Sequence, residues 1–140
     1  MNAAIIYESL TGNTKKTAHL IAAELTKAGV NVSVRPITNV DYQALAVADL
    51  VIVGTWTDGM IIAGQRPGRA GRLHHLPVID RKRCLVYITY AIDPGKTLQK
   101  LTRIMEQRGA NVLGGMAIKR NNLEGGARDF VARLLDAIPA

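Results

Sequence analysis

Residues 3–14 read Ala3-Ala4-Ile5-Ile6-Tyr7-Glu8-Ser9-Leu10-Thr11-Gly12-Asn13-Thr14, an apolar run that gives way to a loop of hydroxyls, an amide and a glycine. The unbroken run Ala3 to Tyr7 suits a strand covered on both faces, as in a parallel sheet. Ala18, Ile21, Ala22 and Leu25 then fall at i, i+3, i+4 and i+7, sharing one helix face, and Gly29 closes that helix as a left-handed cap. The segment therefore predicts a strand, a tight polar loop and a helix.

The same alternation continues along the chain. Val30, Val32 and Val34 alternate with polar residues, as in an edge strand with one wet face, whereas Leu50 to Val53 is wholly apolar, as in a central strand. Cys84 to Thr89 gives a fourth strand, followed by a helix with Leu98, Leu101 and Met105 inward and Gly109 at its end. Val112 to Ile118 gives the fifth strand. Ala127, Phe130, Val131, Leu134 and Ile138 draw the apolar stripe of a last helix. Five strands and about five helices in alternation predict an α/β domain, a parallel sheet with crossover helices. The segment from Met60 to Pro77, rich in Gly, Pro and Arg, is either a short imperfect crossover helix or a functional excursion.

A chain of 140 residues, 48% hydrophobic and 21% charged, suits one globular domain, residues 1–140, rather than a disordered or fibrous chain. No apolar run reaches the length of a membrane span and no leader pattern opens the chain, so a cytoplasmic protein without a membrane span is expected. The only cysteine, Cys84, excludes an internal disulfide and reads as a buried structural thiol. His19 shares its helix with Lys15 and Lys16, and His74 and His75 adjoin Leu73 and Leu76 without carboxylate or cysteine partners; no metal is expected. Without a G-x-S-x-G elbow or a Cys-His pairing, hydrolytic chemistry has no support, and no side chain is assigned a catalytic role.

The net charge is +7, and between Arg66 and Arg83 six basic residues (Arg66, Arg69, Arg72, Arg81, Lys82, Arg83) face one acid, Asp80. The surplus is thus concentrated in one segment. These residues lack interleaved aromatics and known binding motifs, which makes nucleic acid an unlikely partner.

An open parallel sheet binds ligands outside the carboxyl ends of its strands, where the strand order reverses, so the loops after strands one, three and four are the places to search. The first, Ser9-Leu10-Thr11-Gly12-Asn13-Thr14, carries three hydroxyls and one amide, a glycine that admits close backbone approach, and the start of a helix. It reads as a phosphate site made without lysine. Neither G-x-G-x-x-G nor G-x-x-x-x-G-K-[ST] follows strand one, and the acidic cluster of a receiver domain is missing: only Glu8 is there, and strand three ends in Gly54-Thr55-Trp56.

At this point the sequence resembles the flavodoxin family, whose phosphate loop follows the first strand as [ST]-x-[ST]-G-N-[ST]; Ser9, Thr11, Gly12, Asn13 and Thr14 match it. The resemblance covers nearly the whole chain. It implies a flavodoxin-like three-layer sandwich, a five-stranded parallel sheet in order 2-1-3-4-5 with helices on both faces. It also implies one non-covalent flavin mononucleotide (FMN) and a role as electron carrier or small oxidoreductase. The ring-binding loops would be Thr55-Trp56-Thr57-Asp58-Gly59 and Tyr90-Ala91-Ile92-Asp93-Pro94-Gly95. Trp56 would stack on the ring and Tyr90 either covers its other face or finishes strand four as a core residue, with backbone N–H groups of the second loop meeting the pyrimidine edge.

The chain departs from the family in two ways. Lys96 to Leu101 holds no aromatic where family members carry one beyond an acidic loop, and the protein is basic where electron-shuttling flavodoxins are acidic. A free cation about 8 Å from the ring is worth roughly 2 kcal/mol at an effective dielectric near 20, so Arg66, Arg69 and Arg72 would raise the flavin potential. They would also attract an anionic or acidic redox partner. The alternative reading is a flavodoxin-like fold without FMN that works as a binding module through its basic Arg66–Arg83 segment.

Overall fold

In the computed structural model, which describes residues 1–59, 64–74, 76 and 79–138, the opening run forms strand β1 (Asn2–Tyr7). It lies between β2 (Asn31–Pro36) and β3 (Leu50–Asp58), parallel to both. Beyond β3 lie β5 (Arg83–Tyr90) and the far edge strand β6 (Asn111–Lys119). The order β2-β1-β3-β5-β6 is the expected doubly wound arrangement, with one addition: β4 (Arg66–Pro67) pairs antiparallel to the end of β3.

Strand alternation sorts the apolar residues into two cores. Ile5, Tyr7, Leu50, Ile52, Leu85 and Tyr87 face α1 (Asn13–Lys27) and α5 (Leu123–Ala137). Ala4, Ile6, Val51, Val53, Val86 and Ile88 face α2 (Tyr42–Val47), α3 (Ala70–His74) and α4 (Thr97–Gln107). Helices on both faces of one sheet make the three layers, and Cys84 is buried in the second core. None of the described helices is long and apolar enough to cross a membrane.

The chain enters α1 through Gly12 at φ +101°, a left-handed conformation that side chains disfavour, and leaves it through Gly29 at φ +84°. There Val30 N–H donates to Leu25 C=O at 3.0 Å, the six-to-one bond of a Schellman cap. Gly54 has a different reason. A Cβ at that position would fall inside the Tyr87 ring, so glycine on β3 lets the tyrosine on β5 lie flat across the sheet.

Several sequence expectations are corrected at their edges. Strand three does not end near Trp56: pairing of Thr57 with Pro67 and Asp58 with Arg66 prolongs it through Asp58. Tyr90 is the last residue of β5, which is the strand-ending one of the two readings open to it. Val30 precedes its strand, and the β5–β6 register breaks between Cys84 and Leu85, which leaves Leu113 exposed on the edge. Of the irregular Met60–Pro77 segment, both readings survive in part, since it supplies β4 and the five-residue α3; Met60 and Pro77, with His75, lie outside the described residues.

The basic segment also divides. Arg66 sits at the carboxyl end of β3, opposite Asp58, whereas Arg83 opens β5 opposite Leu50 at the other end of that strand. Eight residue steps of about 3.3 Å separate those ends by roughly 26 Å. Lys82 is engaged at the lower end, where its ammonium donates to the carbonyls of Ala46 and Ala48 at 3.1 and 2.9 Å. The six cations of residues 66–83 therefore do not form a single face.

Candidate functional site

The in-register ends of β1, β3 and β5 bring the three expected segments together at one edge of the sheet, around a cavity of about 180 Å³. The first segment contributes Leu10, Thr11, Asn13 and Thr14 to its walls, the second Trp56 and Thr57, the third Tyr90 and Ala91. Two residues that sequence reasoning did not assign complete it: Thr89, next to Tyr90, and Arg120, just past β6. Thr89 was hidden as one more residue of an apolar strand, and Arg120 lies outside all three segments that strand-end reasoning singles out.

The remaining expected residues support the walls from outside. Ser9 Oγ accepts the Lys15 N–H at 3.2 Å, tying the loop to the first turn of α1. Gly12 provides the left-handed entry to the helix, and a Cβ there would meet nothing within 4 Å; its backbone angle, not crowding, calls for glycine. Thr55 is buried and donates its hydroxyl to Gly68 C=O at 2.9 Å, while Asp58 faces Arg66 at 3.7 Å. Gly59 follows β3 at φ +96°. On the third segment, Asp93 Oδ1 accepts the Gly95 N–H at 3.0 Å in a tight turn that leaves Ile92 exposed. Gln65 donates to Asp93 C=O at 3.2 Å, and Lys100 donates to Gln65 C=O at 2.7 Å, so this turn is fastened to the segment before β4.

Beneath the Ser9–Thr14 loop lies a polar floor. Thr14 and Thr89 hydroxyls are 3.0 Å apart and buried, and the Tyr87 phenol donates to Thr14 C=O at 3.0 Å. Burial pushes the Tyr87 phenol well above its ordinary range, with Tyr7 adding a smaller upward push, so it stays a neutral donor. Thr57 Oγ1, in contrast, is buried in the wall with no hydrogen-bond partner. A buried hydroxyl left unpaired is costly, and Thr57 is one of the residues that line the cavity.

The arginines expected to stand free are paired. Glu8, whose side chain is only 5% exposed, accepts from Arg69 Nη1 at 2.9 Å and Arg72 Nη1 at 3.0 Å. Arg66 lies against Asp58. Three guanidiniums against two carboxylates leave a surplus of one charge rather than three, which shrinks the field expected at the cavity. Arg69 also covers the Trp56 ring, 5.5 Å from its centroid, and Gly68 packs so closely on the indole that a Cβ would enter the ring. The 66–72 segment thus holds the tryptophan in place.

Fold and cavity together define a doubly wound α/β protein with a cavity at the carboxyl edge of its sheet, the place where such sheets bind ligands. The family model described as a flavodoxin domain matches residues 4–120, and the chain belongs to the flavodoxin family. No curated protein matches it by sequence. Among solved structures, a flavodoxin variant from Pseudomonas aeruginosa aligns with TM-score 0.75 at 18% identity, covering 100% of both chains. Two-electron reduced Megasphaera elsdenii flavodoxin aligns with TM-score 0.70 at 20% identity, over 90% of this chain and 98% of that one. A Streptococcus pneumonia TIGR4 flavodoxin gives 0.67 at 23% identity, over 95% and 99%. At such identities these structures speak to the fold.

Proposed function

We propose that this chain binds one FMN non-covalently in the carboxyl-edge cavity and serves as an electron carrier or small oxidoreductase. The observation that carries the reading is the orphaned Thr57 Oγ1, buried where Thr57 lines the cavity on which the Ser9–Thr14 loop, Trp56 and Tyr90 converge. Thr11 and Asn13, at the start of α1, would hold the phosphate with neutral donors and the helix dipole. Trp56 and Tyr90 offer the two aromatic walls, and Ala91 the backbone edge.

The bound flavin would supply one- and two-electron transfer; the protein's part is binding, stacking and field. The Glu8–Arg69 pair fixes the segment that backs Trp56, while Tyr87, Thr14 and Thr89 set the height of the loop. Arg66, Arg69 and Arg72, 40–58% exposed, stand on the segment that backs Trp56, and their single surplus charge would favour an anionic or acidic redox partner.

Trp56 is the only tryptophan, so its emission reports on the cavity directly. Titration with FMN should quench it and saturate at one flavin per chain. Unchanged emission at saturating FMN would remove the ring from the Trp56 wall and the reading with it.

A further inference from the structure

Strand β6 ends at Lys119, and the chain turns through Arg120–Asn122 into α5. That turn brings an arginine to the wall of the cavity that Thr11, Asn13 and Thr14 also line. Arg120 also lines an adjoining open cavity of about 300 Å³ with Asn13, Lys16, Asn121 and Asn122, so Asn13 and Arg120 form the wall common to both. Glu124 lines that second cavity, yet among the described residues neither it nor Arg120 makes an ion pair. The other arginines at this edge of the sheet, Arg66, Arg69 and Arg72, are matched to carboxylates.

We propose that Arg120 recognises the cofactor's phosphate, so that the site selects a phosphorylated flavin over an unphosphorylated one by charge as well as by the neutral donors of its loop. The inference rests on the FMN reading above. The loop Ser9–Thr14 contains no cation, and a dianion surrounded only by hydroxyls and amides lacks a counter-charge of its own. A guanidinium presents a rigid fork that matches phosphate oxygens two at a time, and charge-assisted bonds of that kind are about twice as strong as neutral ones. Lys16, on the same rim, adds to the field as a point charge. Because both cations are exposed, salt screens the attraction, and the affinity acquires an ionic-strength dependence that neutral donors do not give.

The test is fluorescence titration of the full chain with FMN and with riboflavin, at low and high salt, for wild type, Arg120→Ala and Arg120→Lys. Arg120→Ala should weaken FMN binding about tenfold or more, leave riboflavin binding in place, and flatten the salt dependence for FMN. Arg120→Lys, which keeps the charge and loses the fork, should fall between the two. Equal weakening of both flavins in Arg120→Ala, no weakening of either, or a wild type that holds riboflavin as tightly as FMN overturns the role of Arg120 and leaves FMN binding standing. A wild type that binds neither flavin overturns the FMN reading itself, and this inference falls with it.

Discussion

Tyr87 on β5 donates its phenolic proton to the backbone carbonyl of Thr14 at 3.0 Å, and Gly54 on β3 provides the room its ring occupies. One buried tyrosine thereby links the centre of the sheet to the first turn of α1, and with it the height of the Ser9–Thr14 loop above the strand ends. Tyr87→Phe should keep the packing and lose one buried hydrogen bond, about 1 kcal/mol of stability. Gly54→Ala forces a methyl into the ring and should cost about 1–3 kcal/mol while displacing the loop. Urea midpoints measured with FMN affinity check this: both variants should bind FMN more weakly, Gly54→Ala the more so.

Thr57→Val should separate stability from binding. The hydroxyl has no partner, so replacing it by a methyl of the same shape should raise the stability of the flavin-free protein by up to about 1 kcal/mol. The same change should weaken FMN about tenfold if a polar atom of the cofactor pairs with that oxygen. Thermal melts of the flavin-free variant and flavin titrations give the two numbers. Unaltered affinity would mean the hydroxyl faces no cofactor atom.

Glu8 is held by two arginines that are themselves 40% and 49% exposed. Removing both in Arg69→Ala/Arg72→Ala leaves a buried carboxylate unpaired. The penalty should fall between that of a surface pair and that of a buried one, about 2 kcal/mol. Glu8→Gln in the same background should recover part of it, because a neutral amide tolerates burial better. The double variant should also shift Trp56 emission, since Arg69 no longer covers the indole.

Burial pushes the Cys84 thiol from its ordinary 9.0 up to about 12. Below pH 9 the thiol is protonated in both folded and unfolded chains and contributes no slope. From pH 9 to about 12 the unfolded chain ionises while the folded one holds its proton, so stability falls as pH rises, by about 1.4 kcal/mol per unit once ionisation is complete. Comparing denaturation at pH 8 and pH 10, Cys84→Ala should lose less stability than wild type between the two.

The sheet order was legible because each central strand is an unbroken apolar run and each long helix carries one stripe, and those patterns come from burial. The ends of strands were not. Thr55–Asp58 is polar and reads as loop, yet it extends β3 because Arg66–Pro67 pairs with it, a partner that no local pattern announces. That the Ser9–Thr14 loop and Trp56 would meet at one cavity could be read from hydroxyl density and position at the strand ends. Arg120 could not, since its place depends on where β6 ends beside α1. The pairing of Glu8 with Arg69 and Arg72 joins residues 61 and 64 positions apart. Its sequence signal was slight: a lone acid closing an apolar run, and two arginines three residues apart.

FMN in the carboxyl-edge cavity should be visible in the absorption spectrum of the purified protein after incubation with FMN and desalting. The account predicts retained flavin absorbance at one equivalent per chain, reduced in Thr11→Ala and with its band shape altered in Trp56→Ala. A colourless wild-type protein that remains folded would contradict it.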